Sequence, residues 1–135
     1  MDEIIAVDLN LNPEPEVTVG VLMNRIDGAA ADVYTSVAKF RDEYNAKELA
    51  ARSFKSAGFE GNVSSQVSSF ATAAGLSNRD AAMVIIGQAA QLKAALDAIA
   101  EWRMQKFAIE KMPLDMAQAK TDEVVAQIAA IGAQL

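Results

Sequence analysis

Cysteine and histidine are both absent from this sequence of 135 residues. Without cysteine there is no disulfide framework, no thiolate nucleophile and no sulfur-ligated metal. Without histidine the chain lacks the side chain that titrates near neutral pH and the commonest metal ligand. Ser-His-Asp, Cys-His and His-zinc arrangements are excluded together. Carboxylate, lysine, tyrosine and hydroxyl chemistry is all that remains for an enzyme. Proline and glycine are also scarce, at three and seven, so long regular elements are expected. The longest uncharged apolar run, about Ala81 to Gly87, falls far short of the roughly 20 residues that span a bilayer. Met1-Asp2-Glu3 lacks the basic start of a secretory signal. A soluble protein, not exported by a classical signal, is expected.

What the chain has instead is alanine, 27 of the 135 residues, the best helix former. Apolar residues make up 52%, enough for one domain with a genuine core. The net charge of −6 is placed unevenly. Residues 1–27 carry Asp2, Glu3, Asp8, Glu14, Glu16 and Asp27 against Arg25 alone, while residues 28–135 hold 12 acids and 11 bases. A nearly neutral body offers no clustered Lys/Arg footprint for nucleic acid.

Two kinds of periodicity divide the chain. In residues 3–11, Ile5, Val7, Leu9 and Leu11 alternate with Asp8 and Asn10, the period of a half-buried strand. Pro13 and Pro15 end it. Val17–Leu22 reads as a second strand whose last residues could begin a helix. Residues 1–26 are therefore expected to form an acidic extended or β-hairpin arm, and residues 27–135 a helical domain. Two strands alone are marginal in water, so the arm is expected to pack on the helices or on another chain.

From Asp27 the apolar spacing becomes three or four. Val33, Val37, Phe40, Tyr44, Ala51 and Phe54 form a helical stripe ending near Gly58, with a break conceivable at Asn45-Ala46-Lys47-Glu48, which has a capping-box pattern. Gly58–Asn62 is a loop. A short helix follows, with Val63, Val67, Phe70 and Ala74 on one face and Gly75 at its end. Ser77-Asn78-Arg79-Asp80 is a strong helix start, and no breaker follows until Pro113. A helix from 78 to about 111 would measure roughly 50 Å, against a diameter of roughly 37 Å for a compact domain of this size. Unless it kinks at Gly87, it outreaches its own body. Leu114, Ala117, Thr121, Val124, Ile128, Ile131 and Leu135 then trace a heptad seam. That seam suits either a helical hairpin with the long helix or an interface between subunits.

No motif carries chemistry. Asp8-Leu9-Asn10-Leu11-Asn12 opens like a calcium loop, but Pro13 replaces the required glycine and Val19 the final glutamate. Asp97 and Glu101 stand four apart, yet Lys93 before Asp97 and Lys106 before Glu110 make an ordinary salt-bridged face. Ser64, Ser65, Ser68 and Ser69 lack a base, and no phosphate-cradling glycine loop occurs. Trp102, Met104, Phe107, Ile109 and Met112 make the second half of the long helix apolar on more than one side, with Arg103 and Lys106 as a polar rim. Core packing, a partner face and a pocket for an apolar ligand are the readings open to them.

The expectation is a mainly α protein: a three- to four-helix bundle with one long helix and a short β or extended N-terminal arm. It is expected to be no enzyme and to hold no cofactor or metal, with no nucleic acid or membrane span. Its partners would be itself, as a homo-oligomer, or another protein. The arm residues Ile5, Val7, Leu9 and Leu11 and the helical residues Trp102, Phe107, Ile109, Met112, Val124, Ile128, Ile131 and Leu135 would carry self-association. Such a composition suits a structural or assembly component, cytoplasmic or virion-associated, of a tailed bacteriophage. The alternatives are a regulatory binder of one protein and a carrier of an apolar ligand.

Overall fold

The computed structural model describes residues 16–135, and the expected strand with Ile5, Val7, Leu9 and Leu11 lies outside them. The described residues are mainly helical, with no strand among them. Five helices have ten residues or more: α1 (Val19–Ala38), α2 (Arg41–Ser56), α3 (Ser65–Ala74), α4 (Asn78–Arg103) and α6 (Leu114–Gly132). A single helical turn, α5 (Lys106–Ile109), stands before the last.

The second strand expected at Val17–Leu22 is helix from Val19 onward. Thr18 has an extended backbone, and its hydroxyl accepts the Val21 N–H at 3.2 Å, which caps the first turn. Leu22, Ile26 and Ala30 recur at four-residue steps and are all buried. That burial decides the conformation over the β preference of Val17, Thr18 and Val19. The boundary expected at residues 26/27 falls inside α1.

The break expected at Asn45 occurs instead at Lys39-Phe40. Asp42 and Glu43 lie in the first turn of α2 and Lys55 in its last, each complementing the helix dipole. Glu48 does not close a capping box; it accepts from Arg52 Nε at 2.7 Å, one turn on. At the other end the Phe59 N–H donates to the Phe54 carbonyl at 2.9 Å, with Gly58 and Phe59 both at positive φ. The Phe59 ring meets Phe54 edge-on at 5.6 Å, the apolar contact that accompanies such a helix end. Gly75 ends α3 as expected, with φ 70°, and Ser77 caps α4 by accepting the Asp80 N–H at 3.1 Å.

Helix α4 runs unbroken through Gly87 and turns at Met104-Gln105. It connects two separate cores. The first gathers Leu22, Ile26, Ala30, Ile99, Ile109, Ala117, Val124 and Ile128 from α1, the C-terminal end of α4, α5 and α6. The second gathers Ala51, Phe54, Val67, Ala71, Ala81, Ala82 and Ile85 from α2, α3 and the N-terminal end of α4. Between Ile86 and Ala98 no residue of α4 is fully buried. At 26 residues α4 measures roughly 39 Å. It is shorter than the roughly 50 Å expected for 78–111 because the chain turns at Met104-Gln105, and close to the roughly 37 Å diameter of a compact domain. It reaches from one core to the other.

Within the first core α1 and α6 run in the same sense. Arg25 Nη2 meets Asp122 Oδ1 at 3.0 Å, and further along Val33 meets Gly132. The approach there is so close that a β-carbon at Gly132 would stand 2.6 Å from Val33 Cγ2.

Candidate interaction surface

The residues expected to carry self-association are divided by the fold. Trp102, Ile109, Met112, Val124, Ile128 and Ile131 all belong to the first core or pack against it. Ile109, Val124 and Ile128 have no accessible surface and serve as core, because the seam of α6 is filled within the chain by α1 and the end of α4. Thr121 shares that burial; its hydroxyl donates to the Ala117 carbonyl at 2.7 Å, so the one polar group in the seam is satisfied inside its own helix. Phe107, 52% exposed, and Leu135, 50%, remain on the surface.

Phe107 sits at the corner where α4 ends and α6 begins, where Met104, Leu114 and Met116 are also exposed, the last two on different sides of α6. Cations edge it. Lys120 Nζ lies 5.7 Å from the Trp102 ring centre and Lys106 Nζ 5.3 Å from that of Phe107, within cation–π range. The corner is anchored to α1 by one carboxylate. Asp27 Oδ1 accepts from Arg103 Nε at 2.8 Å and from Lys106 Nζ at 3.0 Å. The Lys106–Glu110 pair expected from sequence gives way to this contact, because Asp27 offers a half-buried acceptor across helices. The Lys93–Asp97 pair forms on the solvent face at 2.8 Å.

The guanidinium of Arg103, and then the ammonium of Lys106, hold the Asp27 carboxyl below the usual carboxylate range against the opposing effect of burial. A depressed folded-state value means that the contribution is present above the unfolded value and is lost as pH falls through the folded one. Asp27→Asn is therefore expected to cost about 1 kcal/mol near neutral pH, the figure for a charge-assisted bond discounted for exposure. It is also expected to flatten the loss of stability below about pH 4. Urea melts of both proteins from neutral to acid pH check both; an unchanged pH slope in the variant would remove Asp27 from the account.

At the opposite end of the molecule a shallow groove of about 460 Å³ lies against α2 and α3, lined by Ala46, Leu49, Ala50, Ser53, Phe54, Ala57, Asn62, Ser64 and Gln66. Leu49 is 70% exposed at its edge. Sequence periodicity missed this feature, since Leu49 falls off the stripe through Ala51 and Phe54; an apolar residue off the stripe is the signal that marks it. No group of three or more acidic side chains is placed to hold a metal ion among the described residues. The helical stretch Asn78–Ile109 contains an 18-residue window of mean hydropathy 1.3, of which 17% is buried. By length and composition alone that stretch could cross a bilayer, a stronger apolar signal than the short run Ala81–Gly87 suggests.

The chain is similar to a phage-encoded protein. Over 89 residues it is 39% identical to an "uncharacterized 23.3 kDa protein in lys 3'region" of Haemophilus phage HP1 (strain HP1c1). The match takes in 66% of this chain and 44% of that protein, so the chain spans less than half the length of its relative. No family model and no solved structure matches the chain.

Proposed function

We propose that the chain is a non-enzymatic assembly protein of a bacteriophage, cytoplasmic or virion-associated, which works by self-association. The observation that carries this reading is the uncovered apolar surface. Thirteen large apolar side chains are exposed among the described residues, eight of them on α1, α2, α4, α5 and α6, and four of the thirteen, Met104, Phe107, Leu114 and Met116, stand where α4 gives way to α6. Such patches on soluble proteins mark interaction sites, and aromatic and methionine residues are enriched at interface centres. The phage-encoded relative supports the setting.

Size exclusion with light scattering over a wide concentration range tests the reading. A mass at least twice 14.3 kDa at high concentration is expected, and a strict monomer throughout would sink it. A regulatory binder would stay monomeric and offer the same corner to an unlike chain.

A further inference from the structure

We propose that two copies of the chain join through the outer face of α4, antiparallel about a twofold axis at Ala90. This rests on the reading of the protein as self-associating and adds the face and the register. The face is a line of exposed positions, Arg79, Met83, Gly87, Ala90, Ala94 and Glu101, spaced by three, four or seven residues and hence on one side of the helix. It lies opposite the side carrying Ala81, Ile85 and Ile99 into the two cores. Along that line charge is missing between Met83 and Ala94 and present at the ends, with Asp97 also on this side and paired to Lys93.

Those ends are complementary. Arg79 and Glu101 lie eleven residues on either side of Ala90, and neither has an ion-pair partner among the described residues. The Arg79 guanidinium is stacked over the Phe59 ring at 4.9 Å, which positions it while leaving its N–H groups free for a carboxylate. An antiparallel pair centred on Ala90 brings each Arg79 beside the Glu101 of the other copy. It sets Met83 against the other copy's Asp97, already neutralised by its own Lys93 at 2.8 Å. A parallel pair would stack Arg79 on Arg79 and Glu101 on Glu101. In a twofold arrangement one surface meets itself, and this face is self-complementary in only the antiparallel sense. Gly87, Ala90 and Ala94 at the centre let the two helices approach near the lower end of the usual 8–10 Å axis separation. A lipid cover is the lesser reading, because Lys93, Asp97 and both end charges flank the apolar centre.

The absence of native cysteine makes the test direct. Ala90→Cys in the full chain is expected to give a disulfide-linked dimer under mild oxidation, since a residue on the axis meets its own copy within bonding distance. Ser69→Cys, on an exposed part of α3, is expected to give none. Arg79→Glu and Glu101→Arg are each expected to weaken dimerisation about tenfold, since symmetry counts each change twice. The double variant should restore it. A dimer by light scattering that neither cross-links at position 90 nor responds to the charge swap refutes this face and leaves self-association standing. A monomer at every concentration refutes both. A monomer that floats with phosphatidylcholine vesicles assigns the face to lipid and overturns the proposal.

Discussion

Ile99→Ala is expected to lower unfolding stability by about 3 kcal/mol and the thermal midpoint by roughly 10 °C. Ile99 has no accessible surface and marks the point where α4 enters the first core, beside Leu22, Ile26, Ile109 and Ile128. Removing three carbons there leaves a cavity walled by four helical segments. The positions of those segments are already fixed by the Asp27 and Arg25 ion pairs and by their own packing, so collapse into the space is limited. Differential scanning calorimetry reads the shift. A loss under 1 kcal/mol would mean that the first core closes without this residue.

Phe54→Ala is expected to cost about 4 kcal/mol, in the range for a buried aromatic. The ring fills the second core and also supplies the edge-on contact to Phe59. That contact secures the end of α2 and, through Phe59, the stacking of Arg79. The two losses should add. No buried residue is common to the two clusters, and α4 connects them through a stretch without a fully buried side chain. Distant sites without shared partners are additive within roughly 0.5 kcal/mol. A double variant departing from the sum by more than about 1 kcal/mol would show that the clusters are one cooperative core. A calorimetric trace in which Phe54→Ala moves one transition and Ile99→Ala another would show their independence most fully.

How much of this is legible in the sequence depends on whether local chemistry or tertiary packing decides. Ser77, Gly75 and Gly58 mark helix ends by interactions within a few residues, and each stands where the spacing predicts. Pro113 likewise immediately precedes α6. The start of α1 is not legible locally, because Val17, Thr18, Val19 and Val21 have strand propensity, and only the burial of Leu22, Ile26 and Ala30 against distant helices overrides it. The break at Lys39-Phe40 carries no glycine or proline; its one local trace is the acidic pair at the head of α2.

The candidate surface divides on the same ground. Heptad spacing in α6 marks a true apolar seam, and the end of the long helix covers part of it as a hairpin would, while α1 supplies the rest. Val124 and Ile128 meet α1, a helix that the strand reading had truncated, so a seam left open on paper is closed by the chain itself. Conversely, between Arg79 and Glu101 the exposed line on α4 consists of alanine, glycine and one methionine, residues too ordinary to stand out until they are seen to lie together on the surface. The length expected for this helix is too great: no glycine or proline marks the turn at Met104-Gln105, so the end of α4 at Arg103 is not legible locally.

The bare stretch of α4 also has a mechanical meaning. The two cores are stiff masses on one rod of roughly 39 Å, with the Lys39-Phe40 turn as the other covalent link between them. A load applied to one mass reaches the other as bending or torsion of that rod. Because no side chain from Ile86 to Ala98 is fully buried, backbone hydrogen bonds there have less packing to reinforce them than at either end of the helix, and compliance is greatest there. A second rod laid against the first would stiffen it in the direction of contact, so that pairing would set the molecule's rigidity as well as its stoichiometry.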